Sequence, residues 1–232
     1  MGEVSGQPDE ELWAKRLSEL VIPVLRHRLE RVGLDASGAY NFYNVRVQRS
    51  ELFLNYELAL ARALLPHAGK FRQVHELGSG FGQLMFLLGW NGFETVGFES
   101  DRQRAKTARD LKGILDLVDP ELTKNVQLLE AEFPSPTAPR PQAQSLLLTT
   151  NLVATRTVPQ QLVILGEMRK YPYVLADIQR FFDLRVDPAE QEKTLALFAQ
   201  AGFSAPEPFL DLGNSGRYFL FSNSDGAVRA AA

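Results

Sequence analysis

Nine consecutive residues carry the chemistry legible in this chain: Val74, His75, Glu76, Leu77, Gly78, Ser79, Gly80, Phe81 and Gly82. An acid stands two residues ahead of three glycines at alternate positions. Glycine reaches positive φ and lets a ligand come close to the backbone. An apolar run precedes the glycines and a helical pattern follows them at once. The loop therefore ends on the free N–H groups of a helix N-terminus, as in the first strand-to-helix turn of a nucleotide-binding sheet. A dinucleotide site wants G-x-G-x-x-G, with its third glycine at position 83. That position holds Gln83, so the spacing is G-x-G-x-G. Glu76 would repel a pyrophosphate and attract a cation. Spacing and charge together favour a positively charged nucleoside without phosphates. A plain tight turn is the simpler reading of the glycines taken alone.

The elements around this turn alternate. Apolar runs over 71–77, 94–99, 126–129, 145–150 and 173–176 read as strands, and 83–90, 101–117, 158–169 and 188–201 read as helices. Two last strands, near 208–212 and 217–221, flank Gly213-Asn214-Ser215-Gly216, a hairpin signal. This order predicts an α/β fold: a doubly wound, mostly parallel sheet with an antiparallel C-terminal hairpin. Four prolines in the ten residues 133–142 predict an extended, helix-free crossover. Ahead of the sheet, apolar residues from Leu12 to Leu29 recur at helical spacing, with Pro23 expected to kink or divide that helix. Residues 38–43, rich in aromatics, read as a loop, and 50–65 as a helix stopped by Pro66. The domain reading is a helical extension or cap over 1–70, a binding domain over 71–223 and a flexible tail over 224–232.

The run Glu76-Leu77-Gly78-Ser79-Gly80-Phe81-Gly82 resembles the first motif of the class I S-adenosylmethionine-dependent methyltransferases, and the resemblance extends over about 71–222. It implies a seven-stranded Rossmann-like sheet with an antiparallel last strand, and S-adenosylmethionine as cofactor. It implies that Glu76 and the loop of Leu77, Gly78, Ser79, Gly80 and Gly82 hold the methionine moiety. Glu99, nineteen residues past Gly80, would accept both ribose hydroxyls, with Ser100 beside it. Glu132 would accept from the adenine amino group and the Phe133 N–H would donate to the ring, although Ala131-Glu132-Phe133 departs from the family's usual Gly-Asp-Ala. Asn151, at the end of the fourth strand, would face the cofactor and the transferred methyl. Asp177 and Tyr43 are further candidates near the methyl group. Asp177 reads first as a cap for the helix that follows, and the segment around Tyr43 equally as a lid or as core. The family's Asn-Pro-Pro-Tyr sequence is missing, which counts against DNA bases and glutamine as acceptors. The expected activity is methyl transfer to O or N of a small-molecule acceptor. A nicotinamide-dependent oxidoreductase and a non-catalytic methyltransferase-like subunit docking through 1–70 stay open.

Composition sets the outer bounds. The 232 residues are 45% apolar and 23% charged, which is globular composition. Net charge is −3 with a pI near 5.7, so no bulk electrostatic footprint for nucleic acid is present. The basic residues Arg46, Arg49, Arg102, Arg104, Lys106 and Arg109 are scattered among acids and read as solvated helix faces. With no cysteine and only His27, His67 and His75, no metal is expected. His75 reads as a packed core residue and His67 as a surface one. No apolar run reaches the ~20 residues of a membrane span, and the first residues are acidic rather than signal-like, so the default location is the cytoplasm. A homo-oligomer is compatible with all of this.

Overall fold

The computed structural model describes residues 10–32, 39–49, 54–150, 158–179, 181 and 188–223. At its centre, Gln73–Leu77 (β1) and Ser145–Thr149 (β4) are buried along their whole length. Burial of this kind, apolar in the Leu146–Leu148 run and polar at Gln73, His75 and Glu76, marks parallel strands covered on both faces. Glu94–Glu99 (β2), Val126–Glu130 (β3), Tyr173–Asp177 (β5), Glu207–Asp211 (β6) and Arg217–Ser222 (β7) complete one seven-stranded sheet in the order β3-β2-β1-β4-β5-β7-β6. Strands β1 to β5 run parallel; β7 is antiparallel to both β5 and β6. The expected sheet and its antiparallel hairpin are both found. The chain steps outward from β1 to β3 and then returns to lay β4 beside β1. Ligands of doubly wound sheets bind at such a reversal, outside the carboxyl ends of the strands.

Side-chain alternation along the strands feeds two apolar layers. Leu146 and Leu148 of β4 join one cluster, with Val74 of β1, and Leu147 joins the other. The first layer is covered by Glu10–Val32 (α1), Asn55–Leu64 (α3), Gln83–Trp90 (α4) and Arg102–Val118 (α5). The second is covered by Val158–Met168 (α6) and Pro188–Gln200 (α7), through Ile164, Leu165, Met168 and Phe198. Helix α4 buries nearly every residue, which fixes the glycine loop that feeds it. Helix α5 buries Ala105, Ala108, Leu111 and Leu115, and Asp101 caps it by accepting the Arg104 amide at 2.9 Å. The crossover over 133–142 contains no helix.

Two expectations about the N-terminal segment are corrected. Helix α1 runs unbroken through Pro23. Leu17, Val21, Leu25 and Leu29 are buried while Pro23 is exposed, so the lost hydrogen bond falls on the solvent side of the helix. Residues 39–43 are not a loop but the start of a helix, Ala39–Gln48 (α2). Its Arg46 and Val47 face inward and Tyr43 packs on the core, an i, i+3, i+4 stripe. An inward arginine reads as polar in a periodicity count, which hides the helix. Helix α3 begins at Asn55, inside the expected 50–65, and residues 50–53 lie outside those described.

Candidate functional site

The glycine turn crosses the carboxyl end of β1 and leans on β2. Gly78 and Ser79 both donate to the Phe98 carbonyl, at 2.9 and 3.0 Å. A Cβ at Gly97 would come within 2.7 Å of the Ser79 hydroxyl oxygen, so β2 needs glycine there for the turn to lie flat. Gly78, Gly80 and Gly82 have φ of 71°, 58° and 81°, the left-handed region. The turn opens directly into α4, with Gly82 as its N-cap and no side chain capping its first amides.

Two buried acids flank the turn. Glu99 closes β2 and is 3% exposed. Its Oε2 accepts the Gly80 amide at 3.0 Å; its Oε1 accepts the Asp101 amide at 2.8 Å and faces the Arg104 guanidinium at 3.1 Å. Burial pushes the Glu99 carboxyl up, and Arg104 and the two amides oppose that rise. Glu76, on β1, is 2% exposed. Its Oε1 accepts the Thr150 hydroxyl at 2.7 Å, and its Oε2 has no hydrogen-bond partner among the described residues. Burial pushes Glu76 up to about 8, the Thr150 bond pulls the other way, and the charges of Glu57 and Glu99 add to the rise. The Glu99 carboxyl reaches the turn through the Gly80 amide, and its charge is felt at Glu76.

A third wall comes from α2. The Tyr43 ring packs on Phe81 with centroids 4.3 Å apart, and a Cβ on Gly80 would overlap the Tyr43 hydroxyl. Burial, the largest influence, raises the Tyr43 hydroxyl well above its ordinary range, so it stays protonated. Behind it, Arg46 pairs with Glu57 and lies over the Tyr56 ring at 4.7 Å. Arg46 is therefore buried and ion-paired, not part of a solvated face. Arg104 likewise turns to Glu99, while Arg109 pairs with Glu130 at 2.8 Å and Lys106 with Asp110 at 3.1 Å on the surface. Sequence reasoning missed Thr150, Arg46, Tyr56 and Glu57. The signal for Glu57 was present: it occupies an inward position in the stripe 57, 60, 61, 64 of α3.

The remaining candidates divide. Leu77 and Ser79 are buried in the turn, while Ser100 and Glu132 are exposed. Phe133 is half-buried, its ring edge-on to Phe98 at 6.1 Å. Asp177 ends β5 with its Oδ1 accepting the Gln179 amide at 3.1 Å and the Arg217 amide at 3.0 Å, a cap that also ties β5 to β7. Asn151 lies outside the described residues. His75 is a core residue, bonded to the Tyr171 hydroxyl at 2.7 Å and pushed down to about 4 by burial. Exposed His67 packs on Phe71 and Phe209. Among the described residues no three metal-ligating side chains converge, and no helix is long and apolar enough to cross a membrane.

Solved structures share this arrangement of strands. Magnesium protoporphyrin IX methyltransferase (ChlM) from Synechocystis PCC 6803, solved with bound SAM, aligns at a TM-score of 0.54 and 12% identity, over 95% of this chain and 100% of that one. The chain has the class I methyltransferase fold. Human N-acetylserotonin methyltransferase in complex with SAM aligns at 0.53 and 15% identity, over 90% of this chain and 66% of that one. The S-adenosylmethionine-dependent methyltransferase SibL aligns at 0.53 and 14% identity, over 89% and 69%. The chain thus spans slightly less than two thirds of the human enzyme's length. No family model and no curated protein sequence matches it. In this methyltransferase fold the turn after β1 is the one described above, with Glu76 before it and Glu99 across from it.

Proposed function

We propose that the protein is an S-adenosylmethionine-dependent methyltransferase that methylates O or N of a small-molecule acceptor. The observation that carries this reading is the unpartnered Oε2 of Glu76, buried beside a turn whose three glycines all take left-handed φ. A buried carboxyl oxygen without a partner costs about 1–3 kcal/mol. A ligand ammonium would satisfy it once the carboxyl ionises. S-adenosylmethionine offers an ammonium at one end, a ribose and adenine at the other, and between them a sulfonium that supplies an activated methyl when bound.

The chain's own residues take these roles. Glu76 accepts from the ammonium, and the loop Leu77, Gly78, Ser79, Gly80 and Gly82 gives backbone contact along the methionine moiety. Glu99 already receives three donors, and a carboxylate has about four acceptor sites. One ribose hydroxyl therefore fits at its Oε2, rather than the two first expected. Ser100, Glu132 and Phe133 line the adenine side. Tyr43 and Asn151 border the methyl end. Asp177 holds the strand ends that form the acceptor wall. No general base is needed when the acceptor loses its proton after transfer. Desolvation and alignment then supply most of the acceleration, up to ~7–11 kcal/mol from orientation. The small-molecule acceptor is favoured by the net charge of −3 and the scattered cations.

Titration calorimetry with S-adenosylmethionine, S-adenosylhomocysteine, NAD and NADP tests the class. Binding of the first two with a one-to-one stoichiometry is expected. Tight binding of a nicotinamide dinucleotide, with neither sulfur nucleoside bound, would replace this proposal by an oxidoreductase.

A further inference from the structure

Helices α2 and α3 meet through a polar cluster that the cofactor cradle does not itself use. Arg46 of α2 is 6% exposed and Glu57 of α3 is 1% exposed, and the two form a buried ion pair. The Tyr56 ring lies under the Arg46 guanidinium, 4.7 Å from it. The Oε1 of Glu57 has no partner among the described residues. A buried ion pair is a poor source of stability, because desolving both charges offsets their attraction and an apolar pair of similar size often does as well. What it supplies is a fixed relation between the two elements that carry it.

That relation points at the glycine turn. Tyr43 stands three residues before Arg46, on the same face of α2. Glu57 belongs to the stripe with Leu60, Ala61 and Leu64 that packs α3 onto α4, the helix into which the glycine turn runs. The pair therefore ties the helix bearing Tyr43 to the helix seated under the turn. Its consequence is visible at Tyr43, whose ring rests on Phe81 and whose hydroxyl fills the space above Gly80. Valine 47 and its carbonyl, which accepts from Arg26 at 3.3 Å, anchor the far end of α2 on α1.

We infer that Arg46 and Glu57 are positioning residues that hold Tyr43 over the glycine turn, and that Tyr43 so placed retains the bound cofactor. The second half rests on the proposed S-adenosylmethionine site; the first does not. Glu57→Gln and Arg46→Met loosen α2, so the nucleoside leaves faster and binds less tightly. Both act through Tyr43, so their effects disappear once its side chain is gone.

The experiment has two arms on the full chain. In the first, without ligand, the Gly80 amide is followed by NMR in wild type, Tyr43→Ala, Glu57→Gln and the apolar pair Arg46→Met/Glu57→Leu, the last chosen to keep the fold. Loss of the tyrosine ring moves the Gly80 resonance, and Glu57→Gln is expected to move it the same way. In the second, S-adenosylhomocysteine affinity and dissociation rate are measured for the same set. Glu57→Gln is expected to weaken binding about tenfold, mostly through dissociation, and to add nothing in the Tyr43→Ala background. An unmoved Gly80 resonance in both pair variants overturns the positioning role, even if wild type binds the nucleoside. A moved resonance with no nucleoside binding by wild type upholds the positioning and overturns the cofactor reading. Losses that simply add to that of Tyr43→Ala overturn the route through Tyr43.

Discussion

Glu76→Gln should weaken cofactor binding and strengthen the fold. The carboxyl is held up to about 8, so at pH 7 roughly nine molecules in ten carry the proton. Seating an ammonium beside it first removes that proton, at a cost of about 1.4 kcal/mol at pH 7. The charge-assisted hydrogen bond returns about 1.5–3 kcal/mol. Wild-type affinity should therefore climb up to about tenfold per pH unit from pH 6 toward 8 and level off above, because the ligand favours the ionised form and the free protein the protonated one. At pH 7 binding should release close to one proton, about 0.9. Glutamine keeps an acceptor for Thr150 but has no charge, so the variant should lose roughly 10–150-fold at pH 8, show little pH dependence between 6 and 8 and release no proton. Stability moves the opposite way. The unfolded carboxyl ionises near 4.5 while the folded one holds its proton to about 8. The native state thus binds more protons in that window, and wild-type stability falls as pH rises through it by up to about 1.4 kcal/mol per unit. Glu76→Gln escapes this fall and should unfold at a higher temperature than wild type at pH 8. Calorimetric titrations in two buffers of different ionisation enthalpy, at pH 6, 7 and 8, read the proton; scanning calorimetry reads the stability. A variant that binds as tightly as wild type at pH 8, or a wild type whose affinity is flat from 6 to 8, refutes the role of Glu76.

Gly80→Ala puts a Cβ onto the Tyr43 hydroxyl at a φ of 58°, where an L-residue costs about 1–2 kcal/mol. Nucleoside binding and melting temperature should both fall, and adding Tyr43→Phe should restore part of the binding; no restoration means the hydroxyl is not the obstacle. Glu99→Ala removes the acceptor shared by Gly80, Asp101 and Arg104, and should weaken adenosine and S-adenosylhomocysteine alike by about 1–3 kcal/mol. A loss seen only with the longer ligand would remove Glu99 from the ribose side. His75 is pushed down to about 4 by burial, so between 6.5 and 4 the unfolded state binds more protons than the native one. Stability should drop on acidification through that range by up to about 1.4 kcal/mol per unit, and His75→Leu should flatten the drop; identical acid limbs in melting curves would count against it.

The parts legible in the sequence are those dictated by local chemistry. Three glycines at alternate positions just after a strand pattern can hardly be anything but a turn, and the apolar runs Leu146–Leu148 and Val174–Ala176 mark buried strands. Glu99 is a candidate by its place at a strand end. Its bond to the Gly80 amide is not legible in that way, because that donor arrives from a turn nineteen residues earlier in the chain. Helix α2 was hidden for a related reason. Its inward face includes Arg46, acceptable there only because Glu57 of α3 stands opposite, and a pattern count along one segment has no access to that partner. Thr150 was passed over beside Asn151, since which residue of a strand end turns toward β1 depends on register.

The most direct measurement is a crystal structure of the full chain grown with S-adenosylhomocysteine. The nucleoside should lie across residues 78–82, with its ammonium on the Glu76 carboxyl and one ribose hydroxyl on Glu99 Oε2. Density for it elsewhere, or a turn left bare at saturating nucleoside, would contradict the assignment.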